Sequence, residues 1–190
     1  MASITIFGSG GMGTAIGQLL TDGGSTVEHV GKADDATIGG DIVILAVPYE
    51  ALESIVNEYR DQLVGKTVVD IANPLDFETF DAMKVPVDSS AAAGLQSALP
   101  DSRVVKAFNT TFAATLTTKT VGPNTTTVLV AGDDTDAKHT VVEAVRASGI
   151  AALDAGSLNR ARQLEALGFL QLTLANSGRI DWSGGFAVIP

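Results

Sequence analysis

Five glycines crowd ten positions near the start of the chain: Gly8, Gly10, Gly11, Gly13 and Gly17, set between the apolar runs ITIF and IGQLL. Glycine weakens helices and strands, so this density asks for a reason in the backbone. Residues 8–13 read G-x-G-x-x-G, directly after an apparent strand and at the opening of an apparent helix. In that setting Gly8 allows the tight turn out of the strand. Gly10 lets the main chain approach a pyrophosphate that a Cβ would block, and Gly13 lets the helix lie close to the sheet. The free N–H groups of the first helical turn, with the positive end of the dipole, favour an anion. Ser9 can add a hydroxyl donor. The competing reading is a purely structural strand-to-helix turn. The pattern predicts a dinucleotide site in which Gly8, Ser9, Gly10, Gly11, Met12 and Gly13 hold the phosphates.

The dinucleotide's second signal lies about 20 residues further on, where an acidic side chain would take a ribose 2′-hydroxyl. Gly31 and Lys32 occupy that place instead. Gly31 leaves space and Lys32 brings a positive charge suited to a 2′-phosphate, which favours NADP(H) over NAD. The alternative is an ordinary solvated lysine, and Asp34 and Asp35 nearby weaken a purely electrostatic reading.

Other chemistry is sparse. With no cysteine there is no disulfide framework, thiolate metal site or catalytic thiol. His29 and His139 are far apart and read as structural or solvated. Asp133, Asp134 and Asp136 stand where a helix begins, and there carboxylates cap N–H groups more readily than they bind metal. No catalytic side chain and no metal ligand is assigned. Arg160 and Arg162 read as solvated or paired with Glu165.

These residues need a scaffold. The 190 residues suffice for one domain with a core, and 45% are apolar. A net charge of −10 repels phosphate backbones and anionic lipid, arguing against nucleic-acid or membrane-surface binding. No leader is visible, and no apolar run approaches the roughly 20 residues that span a bilayer, so a soluble cytoplasmic protein is expected.

β-rich runs at Ile4–Phe7, Thr26–Val30, Asp41–Val47, Thr67–Ile71, Arg103–Phe108, Thr126–Ala131 and Ile150–Asp154 are mostly uniformly apolar, as in a parallel sheet covered on both faces. Helical spacing marks Met12–Thr21, Ala51–Leu63, Ser90–Leu99, Thr135–Ser148 and Leu158–Asn176. The alternation predicts an α/β, Rossmann-type, doubly wound and mostly parallel sheet with a long C-terminal helix. All of 1–190 is read as a single dinucleotide-binding domain, with 155–190 a helix and tail packed on it. Between Val30 and Asp41 only ten residues intervene, too few for the usual crossover helix. The last helix is apolar around most of its circumference, so it needs cover on two sides, the second from another subunit.

Several segments together resemble the NADP-dependent coenzyme F420 oxidoreductase family, whose fold also forms the reductase domain of the STEAP metalloreductases. They are FGSGGMG, DIVILAVPYEAL (41–52), VVDIANPL (68–75), VVKAFNTT (104–111), the AGDD turn (131–134) and DAGSLNRARQLEALGFLQL (154–172). The resemblance implies that Gly31 and Lys32 serve the 2′-phosphate. It implies that Ala46, Val47 and Pro48, with Ala72, Asn73 and Pro74, line the cofactor cleft at strand ends. It also implies that Ala107 belongs to the cofactor site, and that Asn109 and Thr110 meet the redox face, where substrate sits. Asn109 reads equally as a turn residue.

The implied activity is NADP(H)-dependent hydride exchange with F420 or a flavin as redox partner, by a homodimer. A non-catalytic dinucleotide sensor and a small-carbonyl dehydrogenase are the alternatives; the latter wants a proton donor, for which Lys106 is the least poor candidate. Two departures stand out: the family's second helix is missing, and loops around 74–86 and 110–124, or a partner subunit, must build the acceptor side.

Overall fold

A computed structural model describes residues 2–31 and 36–189. Among them, seven strands form one sheet in the order β2-β1-β3-β4-β5-β8-β9. The strands are β1 (Ser3–Phe7), β2 (Thr26–Val30), β3 (Ile42–Leu45), β4 (Thr67–Asp70), β5 (Arg103–Lys106), β8 (Thr127–Gly132) and β9 (Ala151–Gly156). All neighbours pair in parallel except β5 and β8, which meet antiparallel. The helices are α1 (Gly11–Asp22), α2 (Leu52–Leu63), α3 (Ala91–Ala98), α4 (Ala113–Thr118), α5 (Thr135–Ala147) and α6 (Ala161–Asn176). The sequence reading anticipated neither α4 nor the two-residue strands β6 (Thr120–Val121) and β7 (Asn124–Thr125), a hairpin apart from the main sheet. These elements are too short to carry a periodicity.

The apolar strands separate two cores. Ile42 and Ile44 of β3 join Ile16, Leu19 and Leu20 of α1 and Val141 and Val145 of α5 on one face. Val43 and Leu45 point the other way, to Val56 and Leu63 of α2 and Leu95 of α3. The central strands β1, β3, β4 and β5 are buried on both sides, which is why their pattern is continuous rather than alternating. The sheet is the doubly wound α/β type expected.

The short connection after β2 is pinned by side chains. Among its described residues, Gly31 and 36–41 contain no helix. The Gly40 amide donates to Thr5 Oγ1 (3.0 Å), and Gly39 donates to Glu28 Oε1 (3.2 Å). Gln62 holds both the Ile38 amide (2.9 Å) and the Ala36 carbonyl (3.3 Å). Ile38 itself is buried, so one apolar anchor and four hydrogen bonds replace a crossover helix here.

Candidate functional site

The strand order reverses between β1 and β3, the place where open α/β sheets take ligands. A cleft of about 630 Å³ opens there, at the C-terminal ends of β1, β3, β4 and β5. Its inner wall contains Gly10, Gly11, Met12, Ala46, Val47, Pro48, Ala72, Asn73 and Asn109, residues drawn from four separate sequence segments.

The glycine turn divides into two kinds of position. Gly8 has φ +105°, and a Cβ there would lie 2.3 Å from the Ala46 carbonyl oxygen. A Cβ on Gly13 would lie 2.4 Å from the Gly8 carbonyl oxygen, so these two glycines serve the fold. At Gly10 and Gly11 a Cβ would meet nothing within 4 Å, and both residues line the cleft, so the missing side chains leave room for something other than protein. The first intrahelical bond of α1 runs from Thr14 N to Gly10 O, with no side-chain cap and no acidic residue in the first turn. An uncapped helix start facing an open cleft suits an anion. The residues fit a dinucleotide pyrophosphate. His29 of β2, read as structural or solvated, braces the turn: its Nδ1 lies 3.2 Å from the Gly8 carbonyl oxygen.

Deeper in the cleft two asparagines face each other. Asn73 Nδ2 donates to the Asn109 carbonyl (2.8 Å), and Asn109 Nδ2 donates to Asn73 Oδ1 (2.9 Å) and to the Leu164 carbonyl (2.8 Å). Asn109 is 4% exposed, and its Oδ1 is a buried side-chain oxygen without a partner. Phe108 beside it takes a left-handed backbone, φ +62°, fixed by Thr111, whose amide and hydroxyl both donate to the Phe108 carbonyl (3.1 and 2.8 Å). Such a conformation in a bulky buried residue persists only where its surroundings over-determine it.

Behind this wall lies a buried ionic triad. Lys106 Nζ sits 2.8 Å from Asp70 Oδ2 and 2.8 Å from Glu165 Oε1, all three side chains being fully buried. Lys106 also donates to the Ala72 carbonyl, Asp70 accepts from the Ala72 amide (2.8 Å), and Glu165 accepts from Ala91 (2.9 Å) and Ala92 (3.3 Å) at the start of α3. Burial pushes the Glu165 carboxyl above its ordinary range, against the pull of the Lys106 ammonium and the Ala91 amide. The triad ties β4, β5, α3 and α6 together directly beneath Ala72, Asn73 and Ala107. Glu165 is therefore the partner of Lys106 and not of Arg160 or Arg162. Lys106, the least poor proton donor by sequence, is sealed away from the cleft.

Other assigned residues fall outside the lining. Gly8 and Gly13 stand behind it; Ser9 is exposed; Pro74 and Ala107 are buried. Thr110 lines a separate small crevice against the C-terminal segment, and its carbonyl accepts from Gln171 (3.2 Å). Gly31 directly follows β2, and Lys32 lies outside the described residues. Asp134 caps α5 through the Ala137 amide (2.8 Å), and Asp133 accepts from Leu158 N (2.9 Å), so both have structural work. The cleft also takes in Phe77 and Phe112, within the loops expected to build the acceptor side, and Leu172 and Trp182, which sequence reasoning did not assign to it. Phe77 and Trp182 carried one usable signal: a large aromatic inside a polar stretch, DFET and DWSG. Among the described residues lining the cleft none is charged. No helix among the described residues is long and apolar enough to cross a membrane.

Known proteins resemble this chain in sequence and in fold. A family model described as NADP oxidoreductase, coenzyme F420-dependent, matches residues 25–74. The F420-dependent NADP reductase of Methanocaldococcus jannaschii is 34% identical over 155 residues, covering 79% of this chain and 69% of that protein. Metalloreductase STEAP3 of Rattus norvegicus is 38% identical over 136 residues, covering 70% of this chain and 26% of that protein, so the chain spans about a quarter of this larger relative. Among solved structures, a putative F420-dependent NADP reductase from Arthrobacter sp. FB24 superposes with a TM-score of 0.86 over 100% of both chains at 24% identity, a likeness of fold. A hypothetical protein from Sinorhizobium meliloti gives a TM-score of 0.71 at 29% identity over 83% of this chain and 86% of that one. The chain belongs to the F420-dependent NADP reductase family.

Proposed function

We propose that this chain is an NADP(H)-dependent oxidoreductase that exchanges hydride between the nicotinamide and F420 or a flavin-type ring. The observation that carries the reading is the cleft itself: a bare glycine turn and an uncapped helix start at one end, an uncharged wall at the other. When bound, the nicotinamide supplies or accepts a hydride, and such transfer needs no nucleophile from the protein. The protein's part is to hold two rings in contact and keep water out. Gly10, Gly11 and Met12 would hold the pyrophosphate and Lys32 the 2′-phosphate. Ala46–Pro48 and Ala72–Asn73 would flank the cofactor, and the unpartnered Asn109 Oδ1 would accept from a carboxamide N–H.

The whole chain would work as one dinucleotide-binding unit in the cytoplasm, as a homodimer. Leu170 on α6 is 50% exposed and Leu167, Phe169 and Leu174 are only part-buried, leaving an apolar face for a second copy. The small-carbonyl reading loses its lysine, because Lys106 is fully enclosed by Asp70 and Glu165.

The test is to mix protein with NADPH, add F420, FMN or FAD in turn, and follow NADPH absorbance. Oxidation with any of them supports the reading; tight NADPH binding with no turnover on any acceptor would instead support a sensor. Lys32→Ala should weaken NADPH far more than NADH. Light scattering should give a dimer mass that Leu170→Glu reduces to monomer.

A further inference from the structure

Two carboxylates meet one ammonium in the buried cluster behind the inner wall of the cleft. Asp70, Lys106 and Glu165 together carry one net negative charge when Glu165 is ionised, and none when it holds a proton. Such a cluster is a weak source of stability, because the cost of desolvating the ions offsets their attraction. Its uneven charge, however, stands close to the place where a cofactor would change charge.

None of the three residues lines the cleft, yet two of them hold a residue that does. Asp70 Oδ1 accepts from the Ala72 amide (2.8 Å), and Lys106 Nζ donates to the Ala72 carbonyl. Ala72 thus has the cluster on one side and the cleft on the other. All three donors of Lys106 are taken, by Asp70, Glu165 and Ala72, so the cluster cannot turn away to relax its field. Among the described residues the cleft lining is uncharged, so no side chain on the wall offsets that field.

A nicotinamide ring is neutral when reduced and positively charged when oxidised. We infer that the cluster acts on this difference through the wall: its anionic form favours the oxidised ring and its neutral form the reduced ring. Oxidation of bound NADPH would then send the Glu165 proton to solvent, and reduction of bound NADP⁺ would take one up from solvent. This rests on the proposed function, which sets the cofactor against Ala72, Asn73 and Asn109. Two unit charges about 10 Å apart, at an effective dielectric constant of about 20–40, shift an equilibrium by about four- to sixteenfold.

Glu165 is the member of the cluster that titrates in this scheme. It faces Lys106 from β5, Asp70 from β4, and from α3 only the Ala91 and Ala92 amides. β8, which also packs on α6, carries no charged residue, and Arg160 and Arg162 are exposed. Burial raises the Glu165 carboxyl above its ordinary range, which moves its ionisation toward neutral pH.

Calorimetric titration with NADPH and with NADP⁺, from about pH 5 to about pH 9, tests this without turnover. The ratio of affinities should move toward NADP⁺ by about four- to sixteenfold as pH rises through the Glu165 transition. The 2′-phosphate, and His29 at the glycine turn, act on parts common to both nucleotides and cancel in the ratio. Glu165→Gln should hold the ratio at its low-pH value throughout. The unaltered protein supplies a second measurement that needs no variant to fold. In buffers of differing ionisation enthalpy, NADP⁺ binding should release about 0.3–0.6 proton more than NADPH binding near the midpoint.

Both nucleotides binding with a ratio flat in pH and equal proton counts would overturn the inference and leave the proposed cofactor standing. A Glu165→Gln protein that is folded by circular dichroism and keeps the parent's pH dependence would overturn it too. Binding of neither nucleotide would instead overturn the proposed function, and the inference with it.

Discussion

Replacing Gly168 by alanine tests how closely α6 must approach the cleft wall. In a helix interior this exchange ordinarily stabilises by about 0.5–1 kcal/mol, because glycine loses more backbone freedom on folding. Here the added Cβ would lie 2.3 Å from Asn73 Oδ1 and 2.9 Å from the Asn109 carbonyl oxygen. Asn73 Oδ1 is the end of a side chain, but it cannot swing aside freely. Doing so breaks the bonds of 2.8 and 2.9 Å that join Asn73 to Asn109, and Asn109 is too buried for water to replace them. The Asn109 carbonyl is backbone and cannot move alone. If α6 retreats instead, it strains Glu165 and Gln171, which face the same way.

Each buried polar group left unpaired costs about 1–3 kcal/mol. Two such groups against the intrinsic gain leave a net loss of roughly 1–5.5 kcal/mol. Gly94 on α3 is the control, since a Cβ there meets nothing within 4 Å. Gly94→Ala should therefore stabilise by about 0.5–1 kcal/mol. Urea unfolding followed by circular dichroism measures both, with NADPH affinity as a second readout that only Gly168→Ala should weaken. A Gly168→Ala protein as stable as its parent, with an unchanged urea dependence, would refute this picture of the wall.

Gly10→Val should keep the parent's melting temperature within about 2 °C yet weaken NADPH at least tenfold, since its side chain enters space the fold leaves open. Gly8→Ala should instead destabilise outright, because its φ of +105° and the Ala46 carbonyl both oppose a Cβ. Lys106→Met strands Asp70 and Glu165 without a cation and should remove about 3–5 kcal/mol, read by thermal unfolding. Glu165 holds its proton to higher pH when folded than when unfolded, so its contribution to stability is full below the ordinary value of 4.5 and is lost as pH rises through the raised one. Glu165→Gln should flatten that part of the stability–pH curve, measured by urea unfolding across the acidic to neutral range.

The residues that make the sheet were legible because each obeys a local rule. Val43 and Leu45 alternate with Ile42 and Ile44, yet all are apolar, and only a strand covered on both faces uses them so. The glycine turn was legible for the same reason: sterics at Gly8 and Gly13 act within the turn or against the next strand. The site's outer half was legible only as the loops 74–86 and 110–124, not as particular side chains. Phe77 and Trp182 lie 105 positions apart and meet only through the cleft, and no periodicity links them. Lys106, Asp70 and Glu165 were individually visible, but an ion pair between strand and distant helix has no sequence spacing to betray it. Arg160 and Arg162, closer in sequence, drew the reading toward a surface pair.

Helix α6, apolar around most of its circumference by sequence, buries polar residues on its inner side. Its inward residues include Glu165, Gly168 and Gln171, and its outward ones include Leu170. Each inward polar group has a fixed partner: Glu165 takes Lys106 and two α3 amides, while Gln171 takes the Thr110 carbonyl and the Phe186 amide. Those bonds join strand ends, a neighbouring helix and the C-terminal segment, so the interior face of α6 is given to cross-linking the cleft. Fully satisfied buried polar groups of this kind fix one arrangement more sharply than apolar packing does. A helix that spends its inner face on polar links leaves Leu170 exposed and Leu167, Phe169 and Leu174 part-buried, the face that the proposed homodimer would cover. Cleft geometry and self-association would then be two consequences of the same residue choices, which is why Leu170→Glu should alter assembly while leaving the Asn73–Asn109 wall intact.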